Sequence, residues 1–298
     1  MRYLWVFCLL LFLSCGKKPE QKSQHRAIYY GQPCKPTQFP SSVEIWADAW
    51  VDIEFLGLKH IQIPICGGTV IGPKVILTAA HCFKPETITH HWGELKKVRY
   101  GIGRENNMHN LKWASHWIQH ENYQPKNPEE AGLWQQNDLA LLIFEEPLEL
   151  PAAQFLVSHS HPGLDPGSSK NNREDLEIDW TPGQARGDKH AAVLENAPVW
   201  IIGWGEQENS AEPKRMCARS YINELGDWEM QVGSEGSSPR KCFGDSGGAT
   251  YLLLPNGEYS LVGVTSRSYD TKGCERGGVD TRVDRYTDWI AKQLNMLK

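Results

Sequence analysis

Cys242-Phe243-Gly244-Asp245-Ser246-Gly247-Gly248 sets a serine between glycines, which let the backbone turn sharply and present the hydroxyl beside nearby N–H groups. By itself the stretch also satisfies the Gly-x-Ser-x-Gly elbow of the α/β-hydrolases. Two segments upstream decide between the readings. Asn137-Asp138-Leu139-Ala140-Leu141-Leu142 puts an acid directly against an apolar strand. Leu77-Thr78-Ala79-Ala80-His81-Cys82 follows a strand-like run, Thr69 to Leu77, that begins just after Cys66-Gly67-Gly68. Alone, such a histidine or aspartate is more often structural. Together they stand in the order His, Asp, Ser, whereas the elbow hydrolases run Ser, Asp, His. A serine hydroxyl is a weak nucleophile at neutral pH, and it needs a base and a third group that holds the base in the right tautomer. His81 and Asp138 are the residue types for those roles.

The rest of the chain narrows the class. At about 150 residues per domain, 298 residues suggest two units, although all-β barrels also run to 200–250 as one. Lys and Arg number 31 against 36 Asp and Glu, a net charge of −5 without a long basic run, which excludes a nucleic-acid binder. A hydrophobic fraction of 40% is enough for a sizeable core, and 27 Gly and 18 Pro among short apolar runs favour a turn-rich all-β protein.

With these motifs the chain resembles the trypsin-like (chymotrypsin-fold, S1) serine endopeptidases from Ile28 to its end. Supporting segments stand in the family's order: Ile28-Tyr29-Tyr30-Gly31 with Phe39-Pro40, Ile118-Gln119-His120-Glu121-Asn122-Tyr123, Gly203-Trp204-Gly205, Leu261 to Ser266, and Gly277 to Val283. The resemblance implies two six-stranded antiparallel β-barrels with the site in the cleft between them, barrel one about 28–146 and barrel two about 197–286. A C-terminal helix, about 286–297, carries the core-packing stripe Tyr286, Trp289, Ile290, Leu294 and Leu297.

The same resemblance implies roles. Ser246 attacks the scissile carbonyl, His81 is general base and then acid, Asp138 orients the imidazole, and Ser266 supports Asp138. The N–H groups of Gly244 and Ser246 form the oxyanion hole. Asp245 pairs with a new α-amino group at Ile28 after proteolytic activation. Cleavage there falls after Ala27, with Arg26 one position too early for a trypsin-like activator, so another activating protease is implied. Substrates are proteins or peptides, and no cofactor is implied. An inactive binding protein on the same scaffold is the alternative, although it should have lost a triad member or an oxyanion glycine.

Specificity is where the sequence departs from the family. The position of trypsin's acidic pocket residue holds Arg240, followed by Lys241, and Asp280 replaces a usual tyrosine. Three readings stand: two cations select an acidic side chain; Arg240 pairs internally with Asp280 and leaves no strong preference; or Asp280 attracts basic side chains. Ser268 and Gly278 match small pocket-wall positions, so the mouth should admit a large side chain. Arg267 replaces a tryptophan of the substrate shelf.

The N-terminus reads as an address. Arg2 precedes an apolar run, Tyr3 to Leu13, too short to span a bilayer. Leu13-Ser14-Cys15-Gly16 resembles the lipobox of bacterial lipoproteins, with Cys15 lipidated, residues 1–15 as the signal and 16–27 as a polar tether or propeptide. The protein is thus expected to be exported, and anchored to the outer membrane in the periplasm or secreted. Six cysteines remain once Cys8 and Cys15 are set aside, and export implies three disulfides in any of 15 connectivities. The family pattern implies Cys34–Cys217, Cys66–Cys82 and Cys242–Cys274. The polar stretch from Ser158 to Asn196 reads as a surface loop. Its His159, His161 and His190, like His90 and His91, lack the spacing of metal ligands.

Overall fold

Short apolar runs broken by turn residues fold as strands that each need a partner on both edges, and the chain meets that need by closing two barrels. The computed structural model describes residues 28–35, 37–89, 93–103, 111–125, 131–155, 193–205, 215–233, 239–271 and 273–296. The signal, lipobox and tether, the histidines at 90, 91, 159, 161 and 190, and Leu297 lie outside them.

Fifteen strands occur in the described residues: β1 Gln32–Pro33, β2 Ser42–Ile53, β3 Gly57–Gly72, β4 Val75–Thr78, β5 Gly93–Gly103, β6 Lys112–Trp113, β7 His116–Gln119, β8 Ala140–Ile143, β9 Gln154–Phe155, β10 Pro198–Gly203, β11 Met216–Leu225, β12 Glu229–Val232, β13 Ala249–Leu253, β14 Tyr259–Ser268 and β15 Gly278–Arg282. The first sheet runs β6-β5-β2-β3-β4-β8-β7. Its two end strands are halves of one bent segment: the Ala114 N–H bonds the Tyr100 carbonyl at 2.9 Å, and the next residue, Ser115, bonds the Ile143 carbonyl at 2.8 Å. The bend therefore closes a six-stranded barrel. In the second sheet β11-β10-β13-β14-β15-β12 returns to β11, again six strands.

Two short strands depart from the expected layout. β1 pairs with β11, so the residues expected to begin barrel one lie on barrel two. β9 pairs with β14 in parallel, an exception to an otherwise antiparallel pattern. The β2–β3 hairpin projects beyond its barrel, and Phe55 at its tip is 96% exposed.

β4 (Val-Ile-Leu-Thr) and β8 (Ala-Leu-Leu-Ile) are buried along their whole lengths. The helix α1, Thr287–Asn295, explains part of this, because Trp289 and Ile290 join the core cluster that holds Leu77, Leu141 and Leu142. The strands adjoining His81 and Asp138 are thus held in the core. Disulfides join Cys34 to Cys217, Cys66 to Cys82 and Cys242 to Cys274. Among the described residues no helix is long and apolar enough to cross a membrane.

Candidate active site

His81 sits in a single 3-10 turn, Ala80–Phe83, at the end of β4. The turn is tied at three points: Cys82 is bonded to Cys66, Gln119 Nε2 donates to the Ala80 carbonyl at 2.8 Å, and Thr87 Oγ1 donates to the His81 carbonyl at 2.8 Å. Asp138 precedes β8 and follows Asn137, whose φ of 55° is left-handed, a conformation that asparagine tolerates. Asn137 is held there by its donation to the Asn122 carbonyl and by the Tyr286 hydroxyl, which donates to its Oδ1 at 3.0 Å.

The two motifs meet with both carboxylate oxygens engaged. Asp138 Oδ1 accepts the His81 backbone N–H at 2.9 Å, Oδ2 lies 2.8 Å from His81 Nδ1, and the Ser266 hydroxyl donates to Oδ2 at 2.6 Å. Burial would raise this carboxyl, but the His81 ring, the Ser266 hydroxyl and the His81 N–H outweigh it and hold Asp138 below the ordinary range. A permanent buried anion fixes the proton on Nδ1 and leaves Nε2 as an acceptor.

The serine loop is threaded between the barrels. Gly244 and Gly247 have φ of 88° and 71°. A side chain on Gly247 would fall 2.3 Å from the Gly67 carbonyl oxygen and from Thr78 Oγ1. The Ser246 carbonyl accepts the Gly67 N–H at 2.7 Å, which binds the loop to barrel one, while the Gly247 N–H bonds Thr265 on barrel two. The N–H groups of Asp245, Gly247 and Gly248 are all used within the protein; those of Gly244 and Ser246 serve no backbone acceptor among the described residues.

Asp245 points away from the serine into a sealed site. Its oxygens accept the N–H groups of Cys242 (2.9 Å), Ile28 (3.0 Å) and Gly205 (3.2 Å). Burial pushes its carboxyl up to about 6 against the lowering effect of those bonds. A methyl on Gly203 would fall 1.9 Å from its Oδ1, so glycine there is a packing requirement.

Residues 28–290 match the family described as Trypsin. The chain belongs to the trypsin family. Complement factor I of Mus musculus is 27% identical over 287 residues, covering 95% of this chain and 41% of that protein, so the chain spans about two fifths of that relative. Kallikrein 1-related peptidase b27 of Mus musculus is 27% identical over 301 aligned positions, with 97% of each covered. The solved structure of neuropsin, a serine protease expressed in the limbic system of mouse brain, matches with a TM-score of 0.56 at 22% identity, covering 89% of this chain and 98% of that one; the fold is shared.

Against the trypsin-family pattern the pocket residues are rearranged. Arg240 does not meet Asp280. Its guanidinium bonds Glu275 at 3.1 Å and lies over the rings of Tyr29 and Tyr30, with centroids at 4.7 and 5.7 Å. Its backbone also bridges Tyr29, so it clasps the segment that follows Ile28. Lys241 is the residue that pairs with Asp280, at 2.8 Å, and both are fully buried. Burial lowers the Lys241 ammonium despite the opposing pull of Asp280. The reason is the local chain: side chains of neighbouring extended residues point to opposite faces, so one cation packs on the Tyr29–Tyr30 segment and the other on Asp280. Ser268 lines the cavity beside Ser246. Gly278 lies against the Lys241 stem, where a methyl would fall 3.2 Å from its Cβ.

Sequence reading missed Glu229. It is buried in β12 and receives Arg267 through both guanidinium nitrogens, at 2.7 and 2.6 Å, and the Trp134 N–H at 2.9 Å. Arg267 also donates to the Gly132 carbonyl at 3.0 Å. This strap ties the segment leading to Asp138 onto barrel two. The available signal was an acid alternating with apolar residues in Glu229-Met230-Gln231-Val232, with an unexplained arginine elsewhere. Among the described residues the cluster nearest to a metal-binding set is Cys66, His81 and Cys82, and the disulfide consumes both of its sulfurs.

Proposed function

We propose that the chain is a serine endopeptidase that hydrolyses peptide bonds through an acyl-enzyme on Ser246. The observation that carries this is the two-point hold of Asp138 on His81, which leaves the outer imidazole nitrogen free to accept a proton. Ser246 attacks the carbonyl as its proton passes to His81 Nε2. Negative charge on the carbonyl oxygen is met by the N–H groups of Gly244 and Ser246, an interaction of about 3–4 kcal/mol per donor. His81 then protonates the leaving amine, and water repeats the sequence on the ester. A fluorophosphonate probe should form a stoichiometric adduct on Ser246, mapped by mass spectrometry, and the adduct should be lost in His81→Ala. No adduct on correctly bridged protein would move the reading to a non-catalytic binding protein.

The protein is made as a zymogen and processed before Ile28. In the intact chain Ile28 has a φ of 26°, a conformation that β-branched residues avoid, and hydrolysis of its preceding bond abolishes that constraint. Its N–H already touches Asp245. An ammonium at that place supplies the charge the buried carboxyl lacks. Three disulfides favour an exported protein; lipidation at Cys15 and a periplasmic, outer-membrane anchor rest on residues 13–16 alone.

The pH dependence of stability tests the processing. The folded intact chain binds the Asp245 proton up to about pH 6, whereas the unfolded chain releases it near 4. The folded form thus holds more protons between these values, and its stability falls as pH rises through the window, by about 3 kcal/mol in all. A chain beginning at Ile28 pairs Asp245 with an ammonium and loses that fall. Urea midpoints of both forms from pH 4 to 7 should diverge; parallel curves would sink the proposal.

A further inference from the structure

The cavity beside Ser246 has a volume of about 210 Å³ and is lined by the run Lys241 to Phe243, by Ser246, and by β14 residues from Thr265 to Ser268. Among the described residues three cations stand in its neighbourhood, and each has its own carboxylate: Arg240 with Glu275, Lys241 with Asp280, Arg267 with Glu229. None of the three charges is left for a substrate. We propose that this pocket, bordered by a Lys241 whose ammonium is committed to Asp280 and Thr250, selects an uncharged side chain, aromatic or long aliphatic, on the acyl side of the cleaved bond. The inference rests on the peptidase reading above and names its substrate class.

The closed cluster carries the argument. An ammonium has three N–H donors, and Lys241 Nζ directs them to Thr250 Oγ1 at 2.6 Å and to the two Asp280 oxygens at 3.0 and 2.8 Å. The Thr250 hydroxyl in turn donates to Asp280 Oδ2. Lys241 and Asp280 are wholly inaccessible to solvent. A substrate carboxylate therefore meets no spare donor on Lys241, and a guanidinium or ammonium meets an Asp280 already engaged, yet either would have to shed its water to enter.

Lys241 borders the cavity with its ammonium turned away from it. The Cβ lies close across from Gly278, while Nζ turns away to Asp280, which is not part of the lining. The bordering lysine thus presents no available charge where the sequence suggests one. Size agrees: an apolar cavity of about 150 Å³ holds a benzene molecule, so 210 Å³ accommodates a phenyl or isobutyl group.

The test uses the processed protein, beginning at Ile28, whose active sites are counted by fluorophosphonate label on Ser246. Peptide substrates varying only in the residue on the acyl side of the cleaved bond are then ranked by kcat/KM. Leu, Met, Phe and Tyr should exceed Asp, Glu, Lys and Arg by at least about tenfold, the scale set by an unpaired charge in a buried site. Asp280→Asn, which leaves the Lys241 charge unmatched, should shift the ranking toward Glu by about tenfold. If that variant does not fold, the wild-type ranking decides alone. Full label with a preference for any charged residue overturns the proposal and leaves the peptidase reading intact. Absence of label and of all cleavage overturns the peptidase reading, and the proposal falls with it.

Discussion

Asp138→Asn is expected to lower kcat/KM by about 10⁴-fold while the protein stays folded. The geometry dictates the mode of failure. The His81 backbone N–H can only donate, so the amide oxygen must keep the Oδ1 place, and the amide NH₂ takes the place of Oδ2. That NH₂ faces Nδ1, which must then be an acceptor, and the ring proton moves to Nε2. A protonated Nε2 cannot take the proton of Ser246. The Ser266 hydroxyl, which now donates to Oδ2, can rotate and accept instead, so the packing tolerates the change. The rate of fluorophosphonate labelling should fall in parallel with peptide hydrolysis. A loss under tenfold would mean that Asp138 does not set the tautomer.

Glu229→Ala should destabilise the fold by about 3–5 kcal/mol, read as a fall in the urea midpoint. The variant leaves the Arg267 guanidinium, with only 9% of its side chain exposed, without its carboxylate, and it orphans the Trp134 N–H. Removing both charges together, in Glu229→Leu with Arg267→Met, should return most of the stability, since the destabilisation comes from the uncompensated charge. Because Trp134 and Gly132 lead directly to Asp138, the single variant should lose activity before it unfolds globally. A single variant within 1 kcal/mol of wild type would mean that the strap is solvated.

The residues proposed for catalysis were legible because each is written locally. Glycines flank Ser246, a cysteine follows His81, and an apolar strand follows Asp138, and each of these neighbours fixes the position of its functional side chain in the structure. The closure of the barrels was less legible, since the bend at Ala114–Ser115 leaves no glycine or proline as a mark. Specificity was least legible. Whether Arg240 or Lys241 turns to Asp280 depends on the bridge between Tyr29 and Arg240, a pairing across more than 200 positions, and no local feature distinguishes two adjacent cations. Likewise Arg267 and Glu229 stand 38 positions apart, and neither motif nor periodicity joins them.

The disulfide from Cys34 to Cys217 fixes the chain six positions after Ile28 onto barrel two. An amine released at Ile28 is therefore held on a very short leash, and Asp245 meets it at an effective concentration of millimolar or more, however dilute the protein. Docking of that terminus is then a property of the single molecule, independent of expression level. A free peptide beginning Ile-Tyr would have to be supplied at comparable concentration to compete for the same carboxylate.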